Sequence, residues 1–91
     1  MDAIKSLGQI GDPAVVPHLI AALRDESVSM RKSAAYALGQ IGDPAAVPPL
    51  ITTLSDNNEW VRRNATSALE SFDIHEAHAA LDEYYAWQQR P

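Results

Sequence analysis

The sequence predicts an all-α fold built from repeated pairs of helices. The eight residues Leu-Gly-Gln-Ile-Gly-Asp-Pro-Ala occur twice, at 7–14 and at 38–45. When residues 7–38 are aligned with 38–69, 18 of the 32 positions are identical. Between the two copies, apolar residues recur every three or four positions, as in amphipathic helices. A self-match at a fixed period of 31 residues, combined with helical spacing, indicates a helical repeat protein.

The repeats divide the 91 residues into four parts of a single domain. We expect a half repeat at 1–10, full repeats at 11–41 and 42–72, and a capping helix at 73–91. Each full repeat supplies two helices, so the prediction is about six helices. The half repeat has no first helix before it, and this favours either an atypical terminal repeat or a chain cut from a longer array.

Each repeat begins with the same boundary signals and continues with two apolar stripes. Glycine suits the end of a helix, aspartate caps the next helix, and proline fits its first turn. The first helix of each repeat, at roughly 13–24 in the first copy, has stripes at Val16, Leu19, Ile20, Leu23 and at Val47, Leu50, Ile51, Leu54. The second helix, at roughly 28–40 in the first copy, has stripes at Met30, Ala34, Ala37, Leu38, Ile41 and at Val61, Ala65, Ala68, Leu69, Phe72.

The last helix, at about 74–89, departs from this pattern. Asp73 and Glu76 have the spacing of a capping box. His78 and Asp82 occupy stripe positions that are apolar in both earlier copies. A helix with polar residues in its stripe is typical of a terminal cap, on whose outer side no further repeat stacks.

Composition excludes several classes of function. The 46% hydrophobic and 21% charged residues indicate a folded chain. Without cysteine, the chain has no disulfide, thiolate metal site or cysteine nucleophile. The net charge of −5 argues against a nucleic-acid partner. The first residues lack a signal-peptide pattern and no apolar run could span a bilayer, so we expect no membrane partner and a cytoplasmic location.

The boundary block and the start of the second helix together resemble a known family. Gly-Asp-Pro-Ala precedes the first helix, and Met30-Arg31 and Val61-Arg62 open the second helices. Asp25 and Asp56 each precede an arginine by six residues. This pattern resembles the HEAT-like repeats, and most closely the short subclass first associated with phycobilisome lyases. The resemblance implies a right-handed α-α superhelix whose second helices line the concave side, and it does not specify a function.

Two repeated arginines have a structural interpretation. Arg31 and Arg62 stand at equivalent positions, and each can bridge carboxylates such as Asp25 and Asp56 between neighbouring repeats. We therefore predict a structural ladder made of Asp25, Arg31, Asp56 and Arg62, rather than a functional role for either arginine.

No arrangement in the sequence predicts catalysis, a cofactor or a metal site. His75 and His78 share a helix face, but no third ligand is evident, so we interpret them as surface residues. In one HEAT-like family, deoxyhypusine hydroxylase, His-Glu pairs directly follow the arginine of the second helix and hold iron. Those positions are Lys32-Ser33 and Arg63-Asn64 here. We therefore predict that the protein is not an enzyme.

The residues outside the stripes predict a protein-binding surface on the concave side. Tyr36 and Trp60 are the strongest signal, because large amphipathic rings are enriched in binding hot spots, although they could equally pack over their neighbours. Lys32 and Arg63 occupy equivalent positions and predict a mildly basic groove suited to an acidic peptide. The predicted surface comprises Lys5, Gln9, Ser29, Lys32, Ser33, Tyr36, Trp60, Arg63, Asn64 and Ser67.

Two other hypotheses remain open from the sequence. The chain could be a non-catalytic accessory subunit, or a fragment, of a phycobilin lyase-like or other modifying enzyme. Alternatively, it could be a stable part of a longer array whose N-terminal face, with Ala3, Ile4 and Leu7, pairs two copies end to end.

Overall fold

A computed structural model describes residues 13–89, and it is all-α over that range. Short 3-10 turns, Pro13–Val15 and Pro44–Ala46, precede the first helix of each repeat. The predicted helix at 1–10 lies outside the described residues. The five α-helices are α1 (Val16–Ala22), α2 (Val28–Ile41), α3 (Val47–Thr53), α4 (Glu59–Glu70) and α5 (His75–Gln88).

The boundary between the two full repeats has the predicted stop, turn and start. Gly42 adopts a left-handed conformation with φ of 76°, and its N–H donates to the Leu38 carbonyl, which ends α2. The Asp43 carboxylate accepts the N–H of Ala45 at 2.9 Å. The fixed φ of Pro44 suits the 3-10 turn that follows, because a residue in a first turn has no intrahelical use for its N–H.

The turns within the two helix pairs also repeat each other. Asp25 accepts the N–H of Ser27 at 2.8 Å, and Asp56 accepts the N–H of Asn58 at 2.9 Å. Ser27 then caps α2, while the Asn58 side chain caps α4 by accepting the N–H of Trp60 at 2.8 Å. These hydrogen bonds satisfy backbone donors that a helix N-terminus leaves unpaired. The sequence therefore sets both turn geometries locally.

The helices contact one another as neighbouring hairpins do. Within each pair, α1 packs on α2 and α3 on α4; between pairs, α2 packs on α4 and α3 on α5. Helices α2 and α4 pack very closely, since a Cβ added at Gly39 would lie 2.8 Å from the Cβ of Ala68. Small residues at this crossing let the two backbones approach closely.

The buried core contains most of the predicted stripe and further residues outside it, among them Ala35 and Thr53. Ala35 has no exposed surface, because α2 is covered by both α1 and α4. Thr53 is buried as well, and its hydroxyl donates to the Pro49 carbonyl at 2.8 Å, which removes the cost of an unpaired polar atom. In contrast, the stripe residues Met30, Ile20, Ile41 and Ile51 are only half-buried.

Helix α5 begins one residue later than a capping box would require, so that prediction was wrong. Extended Ile74 occupies the N-cap, with no side-chain cap hydrogen bond. Asp73 therefore lies before the cap, and Glu76 lies too early to complete a box. Instead, the His78 ring nitrogen Nε2 lies 2.6 Å from the Phe72 carbonyl and ties the first turn of α5 to the end of α4.

One face of α5 is polar and exposed. Ala77 and Leu81 are buried, whereas His78, Asp82 and Tyr85 are exposed. Partial burial raises the pKa of the Tyr85 phenol, and the carboxylate of Glu70 raises it further. None of the helices in residues 13–89 is long and apolar enough to cross a membrane.

Candidate functional site

The predicted binding residues of the two full repeats lie on α2 and α4, the second helix (B helix) of each repeat, and are together called the B-helix face here. Ser29 and Ser67 on this face are exposed. Two other predicted residues, Lys5 and Gln9, lie outside the described part of the chain. The B-helix face is formed by Ser29, Lys32, Ser33 and Tyr36 of α2 and by Trp60, Arg63, Asn64 and Ser67 of α4.

A shallow cleft runs between α2 and α4 on this face. It has a volume of about 280 Å³ and is lined by Lys32, Ser33, Tyr36 and Asn64. Tyr36 remains 43% exposed beside the cleft, so packing against its neighbours does not cover its ring. The structure thus brings together residues 28 to 32 positions apart in sequence because the repeat period places them on adjacent helices.

Trp60 projects from the first turn of α4 and carries an arginine on its ring. The indole is 57% exposed, and the guanidinium carbon of Arg63 lies 5.0 Å from the ring centroid. Asn64 donates its side-chain N–H to the Trp60 carbonyl at 2.9 Å. The cation–π contact thus holds Trp60 and Arg63 together as a solvent-exposed pair on α4.

The B-helix face is less basic than the sequence indicates. Arg63 donates to the Glu59 carboxylate at 2.9 Å in an i, i+4 ion pair whose side chains are 64% and 58% exposed. Such an exposed pair contributes only about 0–1 kcal/mol, but it offsets the arginine charge locally. Lys32 is then the remaining cation of the cleft. The i, i+4 spacing of Glu59 and Arg63 on one helix is the sequence signal for this pair, and the prediction of a basic groove did not weigh it.

The predicted ladder contains one ion pair between neighbouring repeats. Arg31 Nε donates to Asp56 at 2.9 Å, and Nη2 donates to the other oxygen of that carboxylate and to Asn57, both at 3.3 Å. Its Nη1 donates to the carbonyls of Asp25 and Glu26 at 2.8 and 3.0 Å. The Arg31 and Asp56 side chains are only 12% and 11% exposed, so this pair is largely shielded from water.

The other two ladder residues do not form the equivalent pair. Arg62 Nη1 donates to the Asp56 carbonyl at 2.7 Å, but Arg62 has no carboxylate partner among residues 13–89. The Asp25 carboxylate accepts the Ser27 N–H and meets no cation within that same range. By the 31-residue period, the partner of Arg62 would stand at position 87, which is Trp87.

A second cleft, between α3 and α5, was missed by the sequence reasoning. It has a volume of about 670 Å³, and Arg62 and Trp87 are among its lining residues. The available signal was the tryptophan at the position where the repeat calls for an aspartate. That substitution leaves an arginine without its carboxylate next to an exposed aromatic ring.

The two histidines of α5 lie in different environments. His75 is exposed at the N-terminus of the helix, and His78 bonds to a backbone carbonyl. Throughout residues 13–89, no group of three or more histidine, aspartate or glutamate side chains is placed to hold a metal ion.

Comparison with known proteins identifies the family. No curated protein matches the sequence. A family model described as HEAT repeats matches residues 1–70 and, in a second overlapping match, residues 16–86. These matches cover nearly the whole chain and agree with the all-helical fold of the described residues. The chain therefore belongs to the HEAT repeat family.

Proposed function

We propose that this protein is a non-catalytic scaffold that binds a partner protein through the B-helix face. HEAT repeats commonly mediate protein–protein interaction. The observation that carries the proposal is Trp60, which is 57% exposed and already stacked with Arg63. Tryptophan, tyrosine and arginine are the residues most enriched in binding hot spots.

The geometry of the face supports a peptide-like partner. Tyr36 on α2 and Trp60 on α4 are large exposed rings on adjacent helices, with the 280 Å³ cleft beside Tyr36. A partner that covers both rings removes apolar surface from water, and this burial is the main favourable term in association. The Asn64 side chain is held by its hydrogen bond to the Trp60 backbone carbonyl, so ordering Asn64 on binding costs little side-chain entropy.

An acidic segment is the partner chemistry that we favour. Lys32 lines the cleft, and Arg63 lies at the equivalent position of the next repeat. The Glu59–Arg63 pair is exposed and weak, so a carboxylate of the partner can compete with Glu59 for the guanidinium. Charge at this face then contributes more to the association rate and to specificity than to affinity.

Three finer assignments belong to the same proposal. The 31-residue period supports membership of the short repeat subclass. A right-handed superhelix would place the B-helix face on its concave side. A cytoplasmic location is the ordinary setting for such a scaffold. End-to-end pairing through the N-terminal half repeat concerns residues outside 13–89 and stays a separate hypothesis.

The experiment compares partner capture by the immobilised protein and by matched variants. Trp60→Ala combined with Arg63→Ala removes the stacked pair from the B-helix face. Arg24→Ala is the control, because Arg24 is exposed in the turn after α1, away from that face. Proteins retained from the native host are compared by mass spectrometry, and helicity is checked by circular dichroism.

The proposal predicts a partner that binds the native protein and the Arg24→Ala control equally, and that is lost with the double variant. Lys32→Gln in the native background should weaken capture at low ionic strength, and its difference from the native protein should shrink at high ionic strength, since salt screens exposed charges. Equal capture by the double variant, with unchanged helicity, would contradict a binding role for this face.

A further inference from the structure

We propose that the cleft between α3 and α5 binds a carboxylate side chain of a partner protein, with Arg62 as its anchor. This cleft, here called the α5 cleft, is lined by Ile51, Leu54, Arg62, Glu83, Tyr84 and Trp87, among others. The inference goes beyond the proposed function and does not rest on it, because it uses none of the residues of the B-helix face.

Arg31 and Arg62 are equivalent residues in successive repeats, but they differ in the number of hydrogen bonds that they donate. Arg31 donates five hydrogen bonds, two of them to the Asp56 carboxylate and one to Asn57. Arg62 donates one from its side chain, to the Asp56 carbonyl at 2.7 Å. Since a guanidinium has five N–H donors, four donors of Arg62 have no partner among the described residues.

The unpartnered N–H groups of Arg62 face solvent in the α5 cleft. The described residues include no buried side-chain nitrogen or oxygen atom without a hydrogen-bond partner. The free N–H groups of half-buried Arg62 are therefore open to an incoming ligand. A carboxylate is the complementary group, because its two oxygens match the planar fork of the guanidinium in a bidentate pair.

The α5 cleft also has apolar walls. Trp87 is 65% exposed and stands where the repeat would place the aspartate, while Leu54, Ile51 and Tyr84 complete one side of the cleft. The volume of about 670 Å³ lies within the usual range for ligand clefts. The site therefore fits an acidic side chain with an apolar residue two positions before it, the relation of Asp56 to Leu54 in the turn whose carboxylate meets Arg31.

Two carboxylates of the chain itself, those of Asp56 and Glu83, border the α5 cleft. Asp56 is already engaged by Arg31 and by the N–H of Asn58. Glu83 lines the cleft, is exposed, and forms no ion pair with Arg62 in the described structure. Its negative charge opposes an incoming carboxylate, so removing that charge should tighten binding.

The test uses a synthetic probe with the sequence of that natural turn. The blocked peptide acetyl-Leu-Ser-Asp-Asn-amide is titrated into the full ¹⁵N-labelled chain, and acetyl-Leu-Ser-Asn-Asn-amide serves as the uncharged control. Nuclear magnetic resonance follows the indole N–H of Trp87 and the Nε–H of Arg62. The indole N–H of Trp60 provides an internal reference, because Trp60 lies on the B-helix face.

We expect saturable shifts at Trp87 and Arg62 with a dissociation constant of about 1 mM, as suits a tetrapeptide. The Asn peptide should bind about tenfold more weakly, because it offers no charge-assisted bidentate pair. Arg62→Gln should weaken the Asp peptide by a similar factor. Arg24→Gln removes an exposed charge that does not line the α5 cleft and should leave the affinity unchanged, and Glu83→Gln should increase it.

Three results would overturn the inference. One is equal affinity for the Asp and Asn peptides on the native chain, a comparison that requires no variant to fold. Another is a shift confined to Trp60, which would place the acidic ligand on the B-helix face instead. The third is a concentration-dependent shift of Trp87 without peptide that Asp25→Asn abolishes, because the occupant would then be a second copy of the chain.

Discussion

Replacing Gly39 by alanine tests how closely α2 and α4 must approach. In an unconstrained helix, this change stabilises by about 1 kcal/mol, because glycine has the poorer helix propensity. Here the new Cβ would lie 2.8 Å from the Cβ and 2.9 Å from the Cα of Ala68. Carbon atoms pack at about 3.5–4.0 Å, so the two helices must separate by roughly 0.7 Å or more.

The obstruction is partly backbone, so the side chain cannot rotate away from it. Overpacking of this kind costs about 1–3 kcal/mol, and we place the cost in the upper part of that range. After the gain in helix propensity, Gly39→Ala should lower the free energy of unfolding by about 1–2 kcal/mol. For a domain of this size, the thermal midpoint should fall by about 5–10 °C.

Thermal unfolding followed by circular dichroism measures this change, with substitutions at Gly42 as a contrasting control. Nothing lies within 4 Å of a Cβ at Gly42, but its φ of 76° disfavours side chains other than asparagine. Gly42→Asn should therefore be better tolerated than Gly42→Ala, whereas no small side chain rescues position 39. A thermal midpoint for Gly39→Ala at or above the native value would refute the close packing of α2 on α4.

Two further predictions concern polar contacts and are measured by urea unfolding. Asp56→Asn removes the ion pair with Arg31, whose side chains are only 12% and 11% exposed, and should cost about 2 kcal/mol; a loss below about 0.5 kcal/mol would mean that the pair contributes no more than an exposed one. Asn58→Ala removes the cap that accepts two N–H groups of α4 and should cost about 1 kcal/mol, and an unchanged midpoint would show that water replaces the cap.

Much of the fold was predictable because the repeat duplicates local signals. The predicted second helix at 28–40 is Val28–Ile41 in the structure, since Ser27 caps its start and Gly42 ends it. The full burial of Ala35 was missed, because one apolar stripe describes contact with one neighbour only. Helix α2 contacts both α1 and α4, and the second contact depends on how repeats pack.

The candidate sites were predictable to a smaller extent. Subtracting the stripes from each second helix identified Tyr36 and Trp60, and both are exposed. The stacking of Arg63 on Trp60 depends on rotamers that the sequence does not specify, whereas the pairing of Arg63 with Glu59 follows from their i, i+4 spacing. The open donors of Arg62 follow from a missing partner at position 87, a feature visible only when the ladder is extended into the last helix.

The binding role of the B-helix face is tested most directly by hydroxyl-radical footprinting of the protein with its captured partner. Tyr36 and Trp60 are 43% and 57% exposed in the free chain, so both rings oxidise readily before binding. Complex formation through the B-helix face should protect these two rings from oxidation. Oxidation of Tyr36 and Trp60 at the same rate in the free and the bound protein would contradict binding through this face.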